Sequence, residues 1–262
     1  MNPHNRVVLI TGASSGIGAA AARAFDAAGA TVVLAARGVA ALEQVAVGLG
    51  NQPLVLPTDM ADPAQVQELI AQAVGQRGRL DILVNNAGVG LAGPVAQLSS
   101  ADFERAIAVD LLGPLHAMQA AIPHMRRQGR GQIINVSSVL SVQSLPYLGG
   151  YAAAKAALDR LSEALRMELR GSGIAVTVLR PSTTQTGFSQ RRLGQGSERR
   201  RVAPQGVPPE QVATALVRAA HREPRVAYVR LADRLALWAA ALAPALVESL
   251  LARSITWDTG DR

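Results

Sequence analysis

Seven short runs rich in β-branched residues and leucine, at 7–10, 31–36, 54–56, 82–85, 132–136, 175–179 and 225–229, alternate with alanine-rich stretches of helical periodicity. The clearest of those helical stretches cover 17–28, 64–76, 101–128 and 151–169. The strand runs are almost continuously apolar instead of alternating, as a strand buried on both faces requires. Strand and helix in regular succession make βαβ units, so the chain is expected to be of the α/β class. The predicted core is a doubly wound parallel sheet of about seven strands with helices on both faces. No linker composition divides residues 1–262, which read as a single domain. The Gly-, Pro-, Ser- and Arg-rich stretch 182–209 is flanked by continuing α/β pattern and reads as a mobile loop within that domain.

Composition removes several kinds of chemistry. With 49% hydrophobic residues the chain can bury a large core. It has no cysteine, which excludes disulfides, thiolate nucleophiles, zinc–thiolate sites and iron–sulfur ligation, and no metal site is expected. The start, MNPHNRVVLI, lacks the apolar segment and cleavage site of a secretory signal. The uncharged apolar run 235–247 is interrupted by Pro244 and is too short to span a bilayer. A soluble cytoplasmic protein is the expectation. The net charge of +7 is concentrated in Arg191, Arg192, Arg199, Arg200 and Arg201, and only 3% of residues are aromatic. Without a basic-aromatic stacking surface, no nucleic-acid partner is expected.

The segment VVLITGASSGIG stands between the first strand and the first helix. It sets Gly12, Gly16 and Gly18 in a G-x-x-x-G-x-G spacing, with Ser14, Ser15 and Ile17 among them. Glycines here let the backbone turn sharply and approach a pyrophosphate, which then rests on the amides of a helix N-terminus. A dinucleotide cofactor is the expectation. Where a protein selecting NAD usually ends its second strand with an acid, this chain has Ala35, Ala36 and then Arg37. An arginine suits the 2′-phosphate of NADP(H), to which it can form charge-assisted hydrogen bonds; a solvated surface arginine is the alternative.

One lysine, Lys155, stands against 25 arginines, and it lies four residues after Tyr151 in YAAAK. At that spacing the two side chains share one face of a helix. A phenol with an ordinary pKa near 10 needs roughly 4 kcal/mol of preferential phenolate stabilisation to exchange protons near neutrality. A neighbouring ammonium supplies part of it. A compact ammonium with three donors also reaches ribose hydroxyls in a way a planar guanidinium does not. Tyr151 is thus a candidate general acid/base for a carbonyl or alcohol.

TGASSGIG (11–18), TDM (58–60), NNAG (85–88), NVSS (135–138) and YAAAK (151–155) occur in one order. Together they resemble the short-chain dehydrogenase/reductase family over about residues 6–230. The resemblance implies a Rossmann-type fold and an oxidoreductase that moves a hydride between nicotinamide and a carbonyl or alcohol. It implies that Tyr151 passes the proton, that Ser138 hydrogen-bonds the substrate oxygen, and that Lys155 completes the catalytic set. Ser137 and Ser141 are neighbours of Ser138 in sequence, and Tyr147 precedes Tyr151 as a pocket-lining residue. Asp59 and Met60 are expected near the adenine, and Asn86, Ala87 and Gly88 along the cofactor. Pro181, Thr184 and Thr186 of RPSTTQTGF are expected by the nicotinamide. Homo-oligomers are common in the family, and one is expected here.

Two departures stand out against that resemblance. Asp110, in IAVDLLGPLHAM, occupies the place of a family asparagine that completes a proton relay to the lysine. A carboxylate there favours a charged Lys155 and opposes phenolate formation, so altered pH dependence or weak turnover is expected. Ser182 follows Pro181 where the family usually has glycine. A non-catalytic NADPH sensor or scaffold is the competing reading, with Asp110 as its support.

The stretch 182–209 matches the family's variable substrate lid. Its arginines either attract an anion or are simply solvated. Further on, Leu231, Leu235, Trp238, Leu242 and Leu246 recur at helical spacing within the apolar segment 231–253. That stripe would cover the substrate pocket or an oligomer interface, or else touch a membrane surface peripherally. An apolar small-molecule substrate suits such surroundings.

Overall fold

In the computed structural model, which describes residues 1–194, 197–200 and 205–258, the first strand lies in the interior of a sheet. Arg201 lies outside the described residues, and Arg199 and Arg200 are described in backbone only. The elements in order are β1 (Val7–Thr11), α1 (Gly16–Ala27), β2 (Thr31–Ala36), α2 (Val39–Val47), β3 (Leu54–Pro57), α3 (Pro63–Arg77) and β4 (Ile82–Asn85). They continue with α4 (Ser100–Ile107), α5 (Gly113–Arg127), β5 (Gly131–Val136), α6 (Gly149–Glu168) and β6 (Ile174–Arg180). Last come β7 (Ser197–Arg200), α7 (Pro209–Arg222), β8 (Val226–Tyr228), α8 (Leu231–Leu242), α9 (Pro244–Ser254) and β9 (Ile255–Asp258).

Seven strands form one parallel sheet in the order β3-β2-β1-β4-β5-β6-β8. All five residues of β1 are buried, with Val8 opposite Val32 on one side and Ile82 on the other. One apolar cluster packs α1 and α7 on the first face, through Phe25, Leu216 and Ala219. Another packs α3, α5 and α6 on the second face, through Ile70, Met118 and Leu158. The strand order reverses between β1 and β4, and at such a switch point the loops leaving the carboxyl ends of two adjacent strands part to leave a crevice.

The helix expected over 101–128 is not continuous. Residues Ala108–Leu112 form a π-helical turn between α4 and α5. Pro114 lacks an N–H to donate to the Asp110 carbonyl four residues earlier, so the regular ladder cannot close there. Gly113 lies so close to the Met60 carbonyl that a Cβ would strike it. The widened turn directs Asp110 into the interior, where it is fully buried. The whole stretch Ser100–Arg127 is long and apolar enough to cross a membrane, yet it buries Val109, Met118, Ala121 and Met125 within the protein.

The lid and the C-terminal segment differ from the expectation. The described part of 182–209 is more ordered than a free loop: Leu193 bridges to Leu91, Thr184 to Val207, and β7 pairs antiparallel with β9. The apolar segment is two helices bent by 112° at Pro244. Leu231, Leu235, Trp238, Leu242 and Leu246 are all exposed, and Leu237 and Ala240 on another side of α8 make the buried contacts.

Replacing Phe25 by Ala empties the centre of the α1–α7 layer. We expect a loss of about 3–5 kcal/mol, read from the denaturant midpoint, with an unchanged slope.

Candidate active site

A cavity of about 1100 Å³ opens at the switch point. Gly12, Ser14, Ser15, Gly16 and Ile17 line it from the first loop, Arg37 from the end of β2, and Asp59 and Met60 from beyond β3. Asn86, Ala87 and Gly88 line it after β4, and Pro181, Thr184 and Thr186 after β6. Ser138, Tyr151 and Lys155 form the wall between.

The first loop is shaped by its glycines. Gly12 and Gly16 have φ of 67° and 54°, the left-handed region in which a side chain is strained. Gly18 is not part of the lining, contrary to its expected role as a contact. It is a packing position: a Cβ there would collide with the Gly12 carbonyl and lie 2.7 Å from Asn86 Nδ2. Thr11, a residue the sequence reading passed over, locks this loop to the next. Its hydroxyl accepts the N–H groups of Asn86 and Ala87, both at 3.0 Å, while Asn86 Nδ2 donates to the Thr11 carbonyl at 2.9 Å. Ser15 precedes α1 without capping it through its side chain, and uncapped amides of a first turn suit an anion.

At the other end, Asp59 accepts from Arg105 Nη2 at 2.8 Å and from the Ala61 N–H at 3.0 Å. Partial burial works against its charge, but the Arg105 hydrogen bond, the Ala61 amide and the Arg105 and Arg37 charges hold its carboxyl below the usual range. Arg105 was not anticipated, since nothing in sequence links it to Asp59. Five cations line the cavity, Arg37, Arg105, Lys155, Arg191 and Arg192, of which Arg105 pairs with Asp59 in the lining and Lys155 with Asp110 beneath it. A polyanionic ligand fits that balance.

The three serines near the end of β5 are sorted by their partners. Ser137 Oγ reaches the Lys155 carbonyl at 3.5 Å, and Ser141 Oγ lies 2.6 Å from Asp159 Oδ2 and 2.7 Å from the Ser138 carbonyl. Ser137 and Ser138 both line the cavity, but it is Ser138 that hydrogen-bonds Tyr151; its Oγ accepts the Leu140 N–H at 3.1 Å, and its own hydrogen goes to the phenol. Behind it, Asp159 is ion-paired with Arg180 at 2.8 Å.

Tyr151 and Lys155 lie on successive turns of α6, with Nζ 5.8 Å from the phenol ring centroid. Lys155 Nζ is 3.0 Å from Asp110 Oδ1 and donates to the Val136 carbonyl at 3.2 Å. Asp110 Oδ2 accepts the Val89 N–H at 3.2 Å. Asp110 was expected within the catalytic set; it lies beneath the cavity floor, absent from the lining, and acts on the site through its pair with Lys155 and through its charge on Tyr151. The Gly88 backbone closes that floor, and a Cβ there would meet Asp110 Oδ1 at 2.6 Å.

Charge states follow from this burial. Desolvation pushes the Asp110 carboxyl up, and the Lys155 charge offsets it only in part. Desolvation opposes the Lys155 ammonium, but Asp110 and Tyr151 outweigh it and hold the lysine above its usual range. Desolvation raises the Tyr151 phenol, Lys155 and the Ser138 hydrogen bond pull it down, and the Asp110 charge raises it further, leaving it above an ordinary phenol.

Two further expectations are revised. Tyr147 does not line the cavity; its ring packs on Trp257 at 5.2 Å, with φ of 67° at its backbone. No residue of α8 or α9 lines it either, so the C-terminal segment does not cover the pocket. Ser182, standing where a glycine was expected, uses its hydroxyl: it donates to Asp233 Oδ2 at 3.0 Å and accepts from Arg230 Nη2 at 3.1 Å, tying this loop to α8.

A parallel sheet whose switch-point cavity carries a glycine loop and a Ser-Tyr-Lys wall defines a dinucleotide-binding oxidoreductase architecture. The family description "short chain dehydrogenase" matches residues 6–195, and the chain belongs to the short-chain dehydrogenase/reductase family. It is 36% identical over 194 residues to rat dehydrogenase/reductase SDR family member 7B, covering 71% of this chain and 60% of the relative's length. A short-chain dehydrogenase/reductase from Burkholderia phymatum, solved in complex with NAD, superposes with a TM-score of 0.85 at 27% identity, covering 95% of this chain and 97% of that one. An alcohol dehydrogenase from Thermococcus sibiricus, complexed with 5-hydroxy-NADP, gives 0.76 at 29% identity over 86% of this chain and 95% of the other.

Lys155→Met leaves Asp110 buried without its cation, a change expected to destabilise the fold by about 3–5 kcal/mol at neutral pH. The carboxyl then titrates well above its unfolded value. Relative to the parent protein, the loss should be smallest near the ordinary aspartate range and grow as pH rises through the folded value. Urea unfolding at several pH values measures it, and a pH-independent loss would contradict the burial assigned to Asp110.

Proposed function

We propose that this protein is an NADP(H)-dependent oxidoreductase that interconverts an apolar carbonyl compound and its alcohol. The observation that carries the reading is the convergence of Ser138, Tyr151 and Lys155 on one wall of the cavity whose other end is the glycine loop. The residues fit such a cofactor: the backbone at Gly12 and Gly88 has no room for a Cβ, Gly16 holds a φ of 54°, and the first turn of α1 offers amides to a diphosphate. Arg37, exposed beside the end of β2, favours a 2′-phosphate over a bare ribose. The solved relatives named above were bound to both NAD and an NADP derivative, so the preference rests on Arg37.

A bound dihydronicotinamide supplies the hydride to the carbonyl carbon. Ser138 turns its hydroxyl hydrogen from the phenol to the carbonyl oxygen and holds that oxygen at Tyr151. Tyr151 gives its proton to that oxygen, and the alcohol forms; in reverse the phenolate takes the proton back. Lys155 lowers the phenol from one side while staying charged against Asp110. Val139, Leu140, Leu145, Leu148 and Phe188 give the substrate end of the cavity its apolar lining. The fixed Lys155–Asp110 pair is also what favours a sensor or scaffold instead, because the carboxylate opposes phenolate formation.

NADPH oxidation followed at the nicotinamide absorbance, across a panel of apolar ketones and aldehydes, tests the reading. Turnover should appear with NADPH in preference to NADH and fall by at least about 10²-fold in Tyr151→Phe. Tight NADPH binding with no turnover across the panel would instead support the sensor.

A further inference from the structure

The lid does more than border the substrate. From Thr186 to Arg191 it crosses the cavity, meeting the glycine loop at both ends and the catalytic wall between them. Phe188 packs edge-on against the Tyr151 ring with centroids 5.7 Å apart. Thr186 Cγ2 stands 3.0 Å from where a Gly16 Cβ would be. At the end of the crossing, in the short turn Ser189–Arg191, Arg191 Nη2 donates to Ser15 Oγ at 3.1 Å.

That contact is chemically incomplete. A guanidinium has five donors and a full charge, and the partner it meets here is a neutral hydroxyl. No carboxylate pairs with Arg191 among the described residues, and the one acidic side chain in the cavity lining, Asp59, is held by Arg105. Ser15 is the residue preceding α1, whose uncapped amides point to the same place. A planar fork, a helix N-terminus and a glycine-lined backbone thus face one spot, and together they complement an oxygen-rich dianion.

We propose that Arg191 is a cofactor-binding residue carried on the lid, exchanging the Ser15 hydroxyl for the diphosphate of the dinucleotide. This rests on the cofactor reading of the cavity given above. It assigns the lid arginine to the cofactor and not to an acidic substrate. Because Phe188 and Thr186 lie on the same short segment, a diphosphate that holds Arg191 also holds the apolar wall beside Tyr151.

The test needs no substrate. Titrations of the parent protein, Arg191→Ala, Arg191→Lys and Arg37→Ala with NADPH, NADH and adenosine 2′-monophosphate separate the contributions. Arg191→Ala should weaken NADPH and NADH alike, by about tenfold, as expected for one charge-assisted contact. Arg191→Lys should lose less, because the charge remains without the bidentate fork. Adenosine 2′-monophosphate, which has no diphosphate, should bind both Arg191 variants as it binds the parent. Arg37→Ala should weaken NADPH and adenosine 2′-monophosphate while sparing NADH. Dinucleotide affinities unchanged in Arg191→Ala overturn the assignment, as does a loss confined to NADPH, which would place Arg191 at the 2′-phosphate. If the parent protein binds neither dinucleotide, the cofactor reading itself fails and takes this assignment with it.

Discussion

The site depends on one buried ion pair. Lys155 and Asp110 are both sealed from solvent and joined at 3.0 Å, and each is also tied to backbone, at Val136 and Val89. Four pieces of structure therefore meet at a single charge pair: α6, the π-turn before α5, the end of β5 and the loop after β4. Removing two charges from water is costly, and the attraction between them offsets that only when the geometry is fixed and hydrogen bonds complete it. The π-turn, made where Pro114 cannot donate and Gly113 must press on Met60, is what brings Asp110 into place. The glycine at 88 leaves the room for it.

That pair has a consequence for the chemistry. A lysine beside a tyrosine lowers the phenol only as far as its charge is not already answered. Here Asp110 answers it, and adds its own charge against the phenolate. Burial and that carboxylate together hold the Tyr151 phenol above its ordinary value.

Most of the sheet was legible because its strands are buried on both faces and read as unbroken apolar runs. All seven fall within a residue or two of their expected positions. The glycine loop was legible because a backbone that must approach a diphosphate has no substitute for glycine at Gly12 and Gly16. Lys155 stood out because it resists the arginine bias of the whole chain. What could not be read from sequence came from long-range partnership. Arg105 meets Asp59 across 46 positions, Arg191 meets Ser15 across 176, and β7 pairs with β9 near the end of the chain. The leucine stripe of α8 was visible as a period, but the period does not say which face meets the protein; Leu237 and Ala240 do, and the stripe faces outward.

The most direct measurement is the titration of the Tyr151 ring, followed by NMR in protein with labelled tyrosine, for the parent chain and Asp110→Asn. The chain has only three tyrosines, so the Tyr151 signal can be assigned with Tyr151→Phe. The account predicts a phenol above the ordinary range in the parent and a clear move downward when the Asp110 carboxylate becomes an amide. A Tyr151 that titrates unchanged, or moves upward, in Asp110→Asn would contradict the claim that the buried pair governs the site.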